Sequence, residues 1–137
     1  MSWIILALLS AFFAALVAIL GKLGLGGVDT TLATTIRAIV MACALLIFAI
    51  SFGKFDLGKI DGKSFIFIIL SGLVGALSWL FYFAALKIGP ASGAAALDRL
   101  SVVFILILAI LFLGETLTWK TGLGALLITS GAILFAI

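Results

Sequence analysis

Five long apolar runs, each close to the length of one bilayer crossing, decide what this sequence can become. They cover about Trp3 to Leu23, Thr31 to Phe52, Ser64 to Leu86, Ala91 to Leu113 and Thr118 to Ile137. A helix needs roughly 20 mostly apolar residues to span the hydrocarbon core of a membrane. The runs are too long for strands and lack alternating polarity, which argues against a closed barrel. Of 137 residues, 66% are hydrophobic and 9% charged, against roughly 25% charged in an ordinary soluble domain. A fold of this size in water leaves too much surface exposed to hide that apolar content. The sequence therefore predicts an all-α, polytopic membrane protein: one domain over residues 1–137, five transmembrane helices, surrounded by plasma-membrane lipid. The first run starts at Trp3 with no basic segment before it, so it is read as a retained helix rather than a cleaved signal.

The joints between runs carry turn chemistry. Gly24, Gly26, Gly27 and Asp29 separate the first two, with Asp29 and Thr30 as N-cap candidates. The loop from Gly53 to Gly62 is the most polar stretch. Gly89-Pro90 separates the third run from the fourth, with Pro90 suited to a first helical turn. Gly114-Glu115-Thr116 separates the fourth from the fifth. Lys54, Lys59, Lys63 and Lys120 fall on the side of the N-terminus, side A, and Lys22 and Lys87 on the other, side B. That excess favours a cytoplasmic N-terminus. If Arg37 and Arg99 reach toward side B, the two sides balance, and insertion in both orientations becomes compatible with the charge pattern.

Several classes of function lose support. The basic residues are scattered singly rather than gathered on a face, so nucleic acid is not an expected partner. The chain has no histidine and one cysteine, Cys43, which removes the commonest general base and metal ligand. No phosphate-binding glycine loop precedes a Lys-Ser/Thr pair. Asp98 has no second carboxylate at membrane depth for paired-acid chemistry. No enzyme activity, cofactor or metal is expected.

The informative residues are Arg37, Asp98 and Arg99. Arg37 lies seven residues into the second run and Asp98 seven residues into the fourth, both counted from side B. At 1.5 Å per residue each is roughly 10 Å inside its helix end. Trp79 of the third run reaches a similar depth. Ionisable groups at such depth usually face a partner or a wet cavity, so Arg37 and Asp98 are expected to approach each other. The bland alternative is that Arg37 and Arg99 send their heads to the headgroups and Asp98 pairs with one of them for structure alone. On the third run, Ser71, Gly75, Ser78 and Tyr82 share one small or polar face bordered by Trp79. Ser10, Ala14, Ala18 and Lys22 form a similar face on the first. The candidate substrate or coupling residues are thus Arg37, Asp98, Arg99, Trp79, Tyr82 and Ser78. Glu115 is read as a solvated or capping residue.

Three stretches in order resemble the EamA family of the drug/metabolite transporter superfamily: Arg37 in TTIRAIV; Leu113-Gly114-Glu115 followed by Leu117-Thr118; and the spaced glycines Gly122, Gly124 and Gly131. The passage ALKIGPASGAAALDRLSVVF looks like the third-to-fourth helix segment of its short, single-repeat bacterial and archaeal members. Two departures stand out. Many members carry a proline near the middle of the fourth helix, at about Ser101 or Val102, and this chain does not, so a kink there lacks its usual cause. Typical members have ten helices in two inverted repeats, and this chain has one repeat. The resemblance implies a secondary transporter or exporter of a small polar or amphipathic metabolite. Transporter sites form where inverted repeats meet, so a homodimer is expected, and an antiparallel one would supply the missing repeat. A lipid-carrier flippase and a non-transporting membrane subunit are the alternative functions.

Overall fold

The computed structural model describes residues 2–56, 58 and 60–137. Lys59, part of the loop-charge argument, lies outside the described residues. The elements are α1 (Trp3–Gly24), α2 (Thr30–Ser51), α3 (Gly62–Ile88), α4 (Ala91–Asp98), α5 (Ser101–Leu108), a π-helical segment (Ala109–Leu113) and α6 (Trp119–Ala136). No strand occurs among the described residues. Five stretches are long and apolar enough to cross a membrane: α1, α2, α3, the composite Ala91–Leu113, and α6. Their limits follow the boundaries predicted from turn chemistry to within one or two residues.

Local chemistry fixes the ends. Asp29 caps α2, its carboxylate accepting from the backbone N–H groups of Thr31 at 2.9 Å and Leu32 at 3.1 Å. Those bonds, the one from Leu32 first, hold its carboxyl below the usual range, with the Lys87 ammonium adding to the effect. Asp61 precedes α3 and accepts from the Ser64 N–H at 3.1 Å, and Ser64 likewise lowers its pKa. Thr118 caps α6 in a reciprocal box with Thr121. Gly114 ends the π segment at φ 69°, a left-handed conformation that glycine enters without the Cβ penalty.

The fourth span is not one helix. At Arg99 and Leu100 the backbone stays right-handed with ψ of −13° and −18°, and the hydrogen bonds shorten to i→i−3: Arg99 to Ala96, Leu100 to Leu97, Val102 to Arg99 and Val103 to Leu100. This is a turn of 3₁₀ helix inside an apolar run. About two turns later, after the eight residues of α5, the winding loosens instead, over Ala109–Leu113. The break falls one to three residues before Ser101 and Val102, where the missing proline removed the usual cause for a kink. Neither proline nor glycine stands there, so residue type at the break does not impose it.

The described chain divides into two compact units. One runs from Leu20 to Lys87; the other joins the N-terminal part of α1, up to Ile19, to Ile88–Ile137. In the first unit the end of α1 lies on the end of α3. Phe83 and Leu86 are buried there, and a Cβ on Gly21 would come within 3.2 Å of the Phe83 ring. In the second, α4 packs on α6. A Cβ on Gly93 would meet the Phe135 carbonyl oxygen at 3.3 Å, so the missing side chain lets the backbones approach. Beyond these contacts, large apolar side chains such as Phe81 and Phe112 are open, at 75% and 80% exposure, as lipid-facing residues should be.

Candidate functional site

The unit from Leu20 to Lys87 holds the more developed site. The Arg37 guanidinium carbon lies 3.6 Å from the centroid of the Trp79 ring and 5.5 Å from that of Phe83. Trp79, Tyr82 and Phe83 occupy one side of α3 at i, i+3 and i+4, which brings side chains together on a helix surface. Their rings meet edge to face: Trp79 to Tyr82 at 5.6 Å, Trp79 to Phe83 at 5.8 Å and Tyr82 to Phe83 at 6.4 Å. A cation over an indole face gains about 0.5–1 kcal/mol when exposed and about 2 when desolvated, and tryptophan is the best aromatic partner. Trp79 is therefore the dominant contact, being both nearer and the stronger acceptor. Arg37 does not simply extend toward the headgroups. Its head lies against a ring nine residues before the end of α3, roughly 13 Å along that helix.

Beside this pair a groove with room for about 610 Å³ runs between α2 and α3. Toward side B it is walled by Thr31, Thr34, Thr35, Arg37, Trp79 and Leu80; deeper, by Ala38, Ile39, Met41, Ala42, Gly72, Gly75 and Ala76. The threonine hydroxyls are spoken for in part. Thr34 donates to the Thr30 carbonyl at 2.7 Å and Thr35 to the Thr31 carbonyl at 2.8 Å, which leaves their oxygens as acceptors. Gly72 and Gly75 have nothing within 4 Å of where a Cβ would stand, so any side chain added there would project into open space.

Two lysines close the side-B end of the same unit. The Lys22 ammonium donates to the Leu86 carbonyl oxygen and, at 3.5 Å, to that of Lys87. The Lys87 ammonium donates to the Val28 carbonyl at 2.8 Å. Cations on the last carbonyls of a helix satisfy orphan acceptors and complement its dipole. Lys22 and Lys87 thus tie the first loop and α1 to the end of α3.

The other sequence-predicted residues are placed differently. Ser78 is exposed and does not line the groove. Asp98 is the last residue of α4, and Arg99 opens the 3₁₀ turn; both are exposed and belong to the second unit. Phe83 and Thr34, both buried, were not singled out in the sequence. The signal for Phe83 was present: it is four residues from Trp79 and one from Tyr82. Thr34 had none, since threonine near a helix start is ordinary.

The sequence model of the EamA-like transporter family matches residues 1–137, the entire chain. This chain belongs to the EamA-like transporter family. A protein described as an uncharacterized transporter in the cobO 3' region of a Sinorhizobium species is 42% identical over 137 residues, covering 99% of this chain and 97% of that protein. No solved structure matches. Membership agrees with the multi-pass architecture and favours transport over enzymatic catalysis. It supplies no substrate, so the Arg37–Trp79 groove has to be read from its own chemistry.

Proposed function

We propose that this EamA-like chain is a secondary transporter of a small polar or amphipathic metabolite, with the Arg37–Trp79 groove as the place where substrate is held. The observation that carries the reading is a guanidinium held 3.6 Å above an indole face, inside a membrane-spanning layer and beside a groove large enough for a small organic molecule. A cation maintained at that depth without a function would be an expensive decoration. Arg37 supplies N–H donors, Trp79 supplies a flat apolar wall with the Tyr82 ring edge-on behind it, and Ser78 borders the aromatic face.

Asp98 takes the coupling role in this proposal and Arg99 tunes it. Asp98 ends α4 where the helix changes its winding, and interrupted membrane helices are where transporters commonly place coupling ions. The working assembly in this reading is a homodimer, antiparallel where the near-balanced loop charge allows both insertions.

Purified protein in liposomes tests the proposal against a panel of radiolabelled metabolites. The expected result is saturable flux of at least one solute, with weakened substrate affinity in Arg37→Gln and flux uncoupled from the driving ion in Asp98→Asn. No flux of any solute, or flux indifferent to both substitutions, overturns it. Accessibility of tags on both termini in intact cells tests the dimer arrangement. Finding every C-terminus on one side rules out the antiparallel form.

A further inference from the structure

The groove between α2 and α3 is graded along its length, and the grading has a sign. Its side-B half presents Arg37 and threonine oxygens opposite Trp79 and Leu80; its inner half presents only alanines, glycines, Met41 and Ile39. Among the described residues, no aspartate or glutamate lines it. Its strong donors are the guanidinium N–H groups, one face of which rests on Trp79 while the edges remain able to bind. A neutral polar solute would gain little from the inner half, and a cation would be repelled by Arg37. An inorganic anion would leave the apolar half unused. The ligand that uses all of it has an anionic head toward side B and a hydrocarbon body toward the membrane centre, which is the orientation of a lipid in the side-B leaflet.

We propose that this groove binds an anionic, phosphate-headed membrane lipid, head at Arg37 and chain along the floor made by Gly72, Gly75 and Ala76. The inference rests on the reading of the Arg37 groove as the ligand site and narrows its ligand to an amphiphile already dissolved in the bilayer. Charge complementarity selects the head. The floor selects the chain, because Gly72 and Gly75 leave open space where side chains would otherwise stand.

Trp79 is itself the reporter. The chain has three tryptophans, and Trp3→Phe with Trp119→Phe leaves Trp79 as the sole indole; neither replaced residue lines this groove. That variant is placed in micelles or nanodiscs with phosphatidylglycerol or phosphatidylcholine brominated on the acyl chain, and Trp79 quenching is measured at equilibrium. The expected result is about a fivefold preference for the anionic lipid, the size of one basic side chain facing an anionic headgroup. Gly75→Leu should abolish quenching by either lipid from within the groove, and Arg37→Gln should erase the preference while quenching persists. Inorganic phosphate should not displace the brominated lipid. Equal quenching by the two lipids in the unsubstituted groove, or quenching unaffected by Gly75→Leu, overturns the proposal; so does displacement by phosphate alone, which would mark a soluble-anion site. Because binding is read without flux, a failed transport assay leaves this result standing, and failure of lipid selectivity leaves transport of another solute open to its own test.

Discussion

Arg37 and the Asp98–Arg99 pair present the same problem to the chain, ionic groups inside apolar spans, and the two units solve it in different ways. In the unit from Leu20 to Lys87 the helices are unbroken and the solution comes from side chains: the Arg37 cation rests on the Trp79 ring, and Lys22 and Lys87 are bonded to backbone carbonyls. In the unit containing Ile88–Ile137 the Asp98 and Arg99 side chains stay exposed, and it is the backbone that departs from the regular α-helix. Asp98 and Arg99 sit where α4 gives way to a 3₁₀ turn, with a π segment following α5. A stacked cation on regular helices makes a fixed site. A span that winds tightly and then loosely has carbonyls and N–H groups that can exchange partners, and such stretches often mark hinges. In the proposed reading the contrast is a division of labour, with recognition assigned to one unit and movement to the other.

Proline substitution breaks this comparison most sharply. Val40→Pro in the middle of α2 removes an i→i−4 bond and should cost about 3 kcal/mol or more, as prolines inside helices do. Ser101→Pro falls on the first residue of α5, directly after the break, where proline is tolerated. It should lower thermal stability in detergent by much less than Val40→Pro. Equal losses at the two sites would mean that the fourth span behaves as one continuous helix.

The stacked arginine gives the next largest effect. Arg37→Lys keeps the charge but loses the flat guanidinium, so it should not substitute fully at a stacked site. Substrate affinity in the flux assay should fall about tenfold or more in Arg37→Gln, in keeping with a desolvated cation–π contact of about 2 kcal/mol, and by an intermediate amount in Arg37→Lys. Identical affinity for wild type and Arg37→Lys would show that only charge matters, not stacking.

Lys22→Met retains the aliphatic stem and removes the ammonium from the Leu86 carbonyl. Stability should fall by about 1 kcal/mol, the usual net worth of one hydrogen bond, with no change in the preference for substrate. A change in substrate preference would extend the recognition site to the lysine staple.

The smallest effect is in acid. Asp29 and Asp61 have carboxyls held below their ordinary value of 3.8 by backbone and side-chain donors at helix starts. Their stabilisation is fully present above the unfolded value and is lost as pH falls through the lower folded one. Thermal melts of Asp29→Asn/Asp61→Asn should therefore match wild type in the acid limit, well below pH 3.8, and fall short of it at neutral pH. A constant difference at every pH would show that their charge contributes nothing.

The site was legible in the sequence only in pieces. Arg37, Trp79 and Tyr82 were identifiable because charged and amphipathic residues are rare at this depth. Phe83 merged with the other apolar residues of its run, and Ser78 shared a face with Tyr82 without joining the groove. Sequence spacing gives depth and helical face, whereas contact depends on how the two helices are rotated and spaced. Asp98 was equally visible, yet the winding change beside it was not, because neither residue at the break is a helix breaker.

What the sequence determined alone was the number of membrane-crossing stretches, their limits and their family. Hydrocarbon admits few backbone arrangements, and a run of about twenty apolar residues leaves the chain almost no choice but a helix. Glycines, Asp29, Asp61 and Thr118 then set the ends through local chemistry that needs no distant partner. Tertiary structure decided that the Arg37 cation would rest on Trp79, that Lys22 and Lys87 would spend their charges on carbonyls, and that the fourth span would change its winding. Those outcomes depend on groups far apart in the chain, or on a backbone balance of a few kcal/mol, and no single residue's preference is large enough to announce them.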